Sequence, residues 1–180
     1  MNVISHLFQP KQTRSNQMNL TNFWNDIKAQ FEAAWQSSLH FSVATVDSNG
    51  NPHVTPIGSL ILRDDCTGYY FEEFPVRLPE NLKNSPRVAI LALNSDLTFW
   101  MESLTDGTFK TYPGMRLMGK SIGSREATSE EIAAWQQKVS FAEGLKGHAI
   151  LWKDMKMIRE IQFDEFKPVY CGEMTAHLHE

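Results

Sequence analysis

Apolar residues recur at three- and four-residue steps through Leu20, Phe23, Trp24, Ile27, Phe31, Ala34 and Trp35, a spacing that gathers them on one side of an α-helix. Asn19 or Thr21 stands where a side-chain oxygen accepts from the first free N–H groups of such a helix. From Leu39 the period shortens to two, and Leu39, Phe41, Val43 and Thr45 share one face of a strand. Asp47-Ser48-Asn49-Gly50 then supplies residues that tolerate positive φ, so the chain is predicted to turn back as a hairpin. The returning strand spans 53–62 and carries Pro56 inside it. A proline has no N–H to give a ladder, which places this strand at a sheet edge or a bulge. The free backbone groups of an edge can recognise the polar rim of a flat ring, with Val54 and Ile57 offering apolar contact. An ordinary protected edge strand fits the same pattern.

A polar turn over Arg63–Gly68 leads into a short strand, Tyr69–Phe71. Pro79 suits the first position of a helix that ends before Ser85-Pro86. The free N–H groups of that helix together with Arg77 form a seat for a phosphate, or Arg77 is a solvated side chain on a surface connector. Further strands are predicted at 88–93, 97–101 and 114–122, with a turn at Asp106-Gly107. Thr128-Ser129-Glu130-Glu131 has the form of a capping box, and Ile132, Trp135 and Val139 give the helix that follows an apolar face. Beyond Gly144 and Gly147 the pattern predicts strands at 148–152 and 155–163. Trp24, Trp35 and Trp135 sit at helical core spacing, which leaves Trp100 and Trp152 freer to line a substrate pocket. The sum is an α+β chain, mostly antiparallel and built on a barrel with flanking helices.

The chain has 180 residues, 42% of them hydrophobic, enough for one compact domain over 19–180 behind a polar N-terminal extension over 1–18. Seventeen basic and twenty-one acidic side chains are spread along the chain, so there is no electrostatic footprint for nucleic acid or an anionic membrane. Cys66 and Cys171 lie far apart without metal or redox spacing, as expected of reduced thiols in the cytoplasm. No stretch has the apolar length of a membrane span or the core of a signal peptide. His177 and His179 form a pair with no third anchored ligand nearby, which reads as a solvated tail rather than a metal site. His148, at the start of an apolar segment, reads as structural, and His53 beside the edge strand stands closer to any ligand. No nucleophile–base or paired-carboxylate constellation is present, so no catalytic residue is assigned.

Five pieces in order, Phe41–Pro52 with its turn, Val54-Thr55-Pro56, Arg77 ahead of Asn81-Leu82, Asn84–Val88, and Met118–Ser121 before the capping-box helix, resemble the pyridoxamine 5'-phosphate oxidase-like family of FMN-binding split barrels. The resemblance covers about 39–163. It implies a homodimer with FMN held where the two barrels meet and a redox function toward a small-molecule substrate, in which the protein positions the flavin and excludes water. Carried over, Val54, Thr55, Pro56 and Ile57 line the ring edge, Phe71 and Glu72 follow the ribityl chain, Arg77 faces the phosphate, and Met115 and Arg116 lie near the ring. The family commonly shows Ser-Arg-Lys where this chain has Val76, Arg77 and Leu78, so one cation remains for the phosphate. Glu72 and Glu73 repel that phosphate unless they point outward or pair with cations. Thr55 stands where the oxidase itself has an arginine, so pyridoxamine phosphate is not the expected substrate. The alternative of the same fold is a non-catalytic flavin- or haem-binding protein, with a C-terminal histidine as a haem ligand.

Overall fold

A computed structural model describes residues 19–179; the predicted extension over 1–18 and the side chain of His179 lie outside the described residues. Asn19 accepts from the Thr21 N–H and opens a short 3-10 turn, Leu20–Phe23, that runs into helix α1, Trp24–Ser38. The strands are β1 (Phe41–Val46), β2 (Pro52–Ile57), β3 (Ile61–Leu62), β4 (Thr67–Phe71), β5 (Arg87–Leu93), β6 (Gly114–Glu126) and β7 (Met157–Pro168). Helices α2 (Arg77–Asn84), α3 (Leu97–Asp106), α4 (Ser129–Lys138) and α5 (Lys146–Leu151) interrupt them. All strands join one antiparallel sheet in the order β2-β1-β5-β6-β7-β4-β3. The sheet is open: β2 and β3 are its two edges, so the proline-bearing strand is an edge strand as expected.

Residues directly opposite on antiparallel strands share a face, and the register therefore assigns the two sides of the sheet. Val43, Ile90 and Leu117 are fully buried on the inner side. Helix α1 lies across that side and buries Trp24, Ile27, Phe31, Ala34 and Trp35. Its Phe31 ring is 5.2 Å from Phe41 of β1 and its Trp24 ring 5.9 Å from Phe163 of β7, so one helix closes the core from end to end. On the other side the register aligns Val54, Ala44, Ala89 and Met118 across β2, β1, β5 and β6. Val54 and Val46 there are exposed.

Local chemistry explains where the elements differ from expectation. Leu39 is no strand residue; at φ 60° it is the left-handed end of α1, its N–H donating to the Trp35 carbonyl. The strand expected over 53–62 breaks after Ile57 and resumes at Ile61; at Gly58 between them the chain passes so close to the Leu39 carbonyl oxygen that a Cβ would stand 2.8 Å from it. Helix α2 begins at Arg77, with Pro79 inside its first turn. The strand expected at 97–101 is helix α3, opened by Asp96, whose carboxylate accepts the Phe99 N–H. The strand expected at 148–152 is helix α5 with Trp152 at its end. Both segments are short apolar runs, where periodicity alone does not separate strand from helix. The capping box is present: Thr128 accepts from the Glu131 N–H and Glu131 accepts from the Thr128 N–H.

Candidate functional site

Where the loop after β2 meets the end of β4, the sheet edge and helix α4 leave a cavity of about 280 Å³. Thr55, Pro56 and Ile57 line it from β2, Phe71 from the end of β4, and Trp135 from α4. Ser59 locks the corner: its hydroxyl accepts the Phe71 N–H at 3.0 Å. The rings stack outward in sequence, Phe71 at 6.2 Å from Trp135 and Trp135 edge-on to Trp152 at 6.0 Å. Gln136 donates to the Trp152 carbonyl at 2.6 Å, which holds the segment after α5 on the cavity wall. Phe74 and Leu151, both exposed, stand at the mouth. No titratable side chain lines the cavity.

Two buried side-chain polar atoms among the described residues have no hydrogen-bond partner, Thr55 Oγ1 and Trp135 Nε1, and both belong to residues of this wall. Buried polar groups are almost always paired, and leaving one unpaired costs about 1 to 3 kcal/mol. The other tryptophans that anchor α1 are satisfied: Trp24 Nε1 donates to the Arg63 carbonyl at 2.6 Å and Trp35 Nε1 to the Gly58 carbonyl at 2.8 Å.

Phe74 and Pro75 carry the chain from the cavity into α2, whose N-cap Val76 offers no side-chain acceptor for the first helical N–H groups. Arg77, the first residue of that helix, is exposed and has no ion-pair partner among the described residues. Its charge reaches the hairpin turn, where Asp47 is held below the ordinary carboxylate range by the Asn51 side chain first, and by Arg77 as a lesser influence. The two carboxylates between cavity and helix are already engaged. Glu72 forms a two-pronged pair with Arg159, in which Nη2 donates at 2.8 Å and Nε donates as well; both side chains are 9% exposed. Tyr70 donates to Glu72, and burial pushes the Tyr70 hydroxyl far above its usual range. Glu73 accepts the N–H groups of Lys156 and Met157 at 2.6 and 2.8 Å. Glu72 thus meets the condition set by the sequence, a cation partner, whereas Glu73 is held by backbone N–H groups and keeps its charge.

Of the residues the sequence singles out, Thr55, Pro56, Ile57 and Phe71 meet in one cavity, and Arg77 follows it in the chain. Val54 points to the opposite side of β2 and is 59% exposed. Glu72 belongs to the Arg159 pair. Met115 and Arg116 are on β6, three strand spacings or roughly 14 Å from β2. Met115 is buried in the core and Arg116 lies on the outer face opposite Leu91; within one chain neither reaches the cavity. Trp152 is at the wall as expected, whereas Trp100 donates to the Asn94 carbonyl on the far side of β5. His148 packs edge-on against Trp152 at 6.0 Å, and His177 is exposed. Trp135 is the wall residue that the sequence reading assigned wholly to the core; its helical spacing predicts the buried ring and carries no signal for the unpaired N–H.

With this geometry the relatives can be placed. The family model described as pyridoxamine 5'-phosphate oxidase matches residues 27–168, and the chain belongs to that family. No curated protein matches. Among solved structures, an FMN-binding protein from Syntrophomonas wolfei is 14% identical, with a TM-score of 0.53 over 84% of this chain and 95% of that one. HupZ from Group A Streptococcus is 18% identical, with a TM-score of 0.52 over 82% of this chain and 98% of that one. At such identities the likeness is one of fold.

Proposed function

We propose that the protein binds FMN, with the ring against the aromatic cavity beside β2 and the phosphate at Arg77, and that it works as a flavin-dependent oxidoreductase on a small molecule. The observation that carries this reading is the continuity of the two parts. The apolar cavity lined by Thr55, Ile57, Phe71 and Trp135 leads through Phe74 and Pro75 into the N-terminal turn of α2, where free N–H groups and a cation favour a dianion. Family membership and the FMN-binding relative point the same way. Bound FMN would supply two-electron redox chemistry. The chain's share is to hold the ring in a dry, aromatic wall and to neutralise the phosphate. Since no titratable group lines the cavity, the protein offers no general acid or base there, a setting suited to hydride exchange.

The same absence favours a second reading, a flavin carrier without turnover. The reactions separate the two: an oxidoreductase bleaches its flavin band when a nicotinamide donor is added and recovers it with an acceptor, and a carrier does neither. The visible spectrum of the purified protein tests binding itself. A yellow band released as FMN on denaturation supports the proposal; a Soret band, or a colourless protein that takes up no added FMN, contradicts it.

The proposal extends to a homodimer formed through the outer face of β2, β1, β5 and β6, where Val54, Val46 and Leu93 are exposed in an apolar strip and Arg116 stands beside it. Such an interface would bring a second copy's Arg116 to the outer face of β2, on the side away from Thr55, while Met115 stays buried in its own core. A monomeric mass by light scattering contradicts the dimer without touching the cavity. No helix among the described residues is long and apolar enough to cross a membrane, and Cys66 and Cys171 are unpaired, in keeping with the proposed cytoplasmic setting.

A further inference from the structure

We propose that the crevice between α1 and α4 is a second small-molecule site, which takes a monocarboxylic acid with an apolar body and seats its carboxylate on Lys28. The inference stands apart from the flavin reading. At about 560 Å³ this cavity has twice the volume of the one beside β2, and the two share no lining residue. Trp135 lines one and Ala134 and Lys138 the other, so α4 is a wall to each. The floor of the larger cavity is Phe31, Phe41 and Leu60, all buried, with Ile61 and Leu62 of β3 half-buried beside them. On its two walls the helices carry alanines, Ala29 and Ala134, both exposed. Side chains this short leave open a space that longer ones would fill. An apolar hollow of this size with a few polar groups has the usual form of a small-molecule site.

The charges of the lining decide what the hollow accepts. They are Lys28, Lys138 and Glu32, two ammonium groups against one carboxylate. Lys138 reaches from α4 to pair with Glu32 of α1, and its Nζ stands 4.1 Å from the centre of the Trp35 ring. It is therefore committed, and it answers the one acid of the lining. Lys28 pairs with Asp64, which does not line the cavity and whose side chain is 95% exposed. An ion pair with so exposed a carboxylate adds little stability. A ligand carboxylate held against the apolar floor, with less water around it, makes the stronger partner. One available ammonium and no arginine match a single negative charge, whereas a phosphate dianion would be left undercompensated. A cationic guest would meet a net positive lining.

The test is calorimetric titration of the full chain with octanoate, beside octanol and octyltrimethylammonium as neutral and cationic molecules of the same apolar length. Saturable uptake of one octanoate per chain is expected, with octanol bound roughly tenfold or more weakly, the worth of a charged hydrogen bond, and no uptake of the ammonium. Lys28→Met should bring octanoate down to the affinity of octanol and leave octanol where it was. Ala134→Leu puts a good helix former at an exposed position; it should fill the crevice and abolish uptake of both without lowering the melting temperature. FMN should not displace octanoate, because the two cavities have no residue in common. No saturable uptake, octanoate bound no better than octanol, an affinity indifferent to Lys28→Met, uptake that survives Ala134→Leu, or displacement by FMN overturns the inference. None of these results bears on whether the cavity beside β2 holds a flavin, except displacement by FMN, which would place the acid there.

Discussion

Glu131 and Trp135 stand one turn apart on α4, and their surroundings are opposite in kind. Glu131 accepts from Arg125 Nη2 at 2.8 Å and from Arg63 Nη2 at 2.5 Å, and both arginines also reach Glu160, at 2.8 and 3.0 Å. The cluster ties the turn after β3, the end of β6, α4 and β7 together, and every charge in it is answered. The Arg125 bond above all holds Glu131 down at about 2. Trp135, four residues later, buries its ring among aromatics and leaves its N–H unanswered. One helix thus carries an ion-pair cluster on its first turn and a cavity wall on its second. The first turn has its polar groups fully paired, and the second leaves a buried donor without a partner, at a cost in stability.

The largest loss is expected where the charges are paired. Arg159→Met removes the partner of a buried carboxylate, and the stranded Glu72 should cost about 3 to 5 kcal/mol in urea unfolding. A cost below about 1 kcal/mol would mean that Glu72 is solvated and available to a ligand after all. Arg77→Ala, on the open side, should weaken FMN binding by about 1.5 to 3 kcal/mol, the worth of a charged hydrogen bond, with urea stability unchanged because the side chain is exposed and unpaired. Unchanged FMN affinity would move the phosphate elsewhere.

Smaller still is the acid limb. Glu131 and Glu160 have carboxyl groups held below the ordinary 4.5 in the folded state, Arg125 being the main cause for each. Their pairing therefore adds stability above the unfolded value and loses it as the pH falls below about 4.5, for Glu131 toward about 2. Glu131→Gln should lower stability near neutrality by on the order of 1 to 2 kcal/mol and flatten the decline of melting temperature on acidification. An acid limb as steep as wild type would assign it to other carboxylates. The smallest effect belongs to Thr55→Val, expected to leave the unliganded protein as stable or more stable by about 1 kcal/mol or less. A marked loss would mean that its hydroxyl has a structural partner.

How much of this could be read from the chain depends on how local the signal is. The face of α1, the Asp47–Gly50 turn, the Thr128 capping box and the edge position of the Pro56 strand are set by residues within a few positions of one another, and all are present. The 97–101 and 148–152 segments misled because short, mostly apolar runs fit either period. Their helical state is set by the Asp96 cap in one case and by Trp152 packing on Trp135 in the other. Thr55–Ile57 and Phe71 line one cavity although β2 and β4 are not neighbours in the sheet, so the resemblance grouped them and strand spacing did not. The engagement of Glu72 by Arg159, 87 positions away, was not legible. Trp135 was hidden by its own helix, since spacing reports where a ring is buried and says nothing about whether its N–H finds an acceptor.

Equilibrium titration of FMN with the purified protein, followed by quenching of flavin fluorescence and run beside haemin, puts the open cavity to the most direct trial. Saturable uptake of one FMN per chain, about tenfold or more weaker in Arg77→Ala and preferred over haemin, is the result expected. Haemin taken up with FMN excluded, or no saturable uptake of either, would contradict the account.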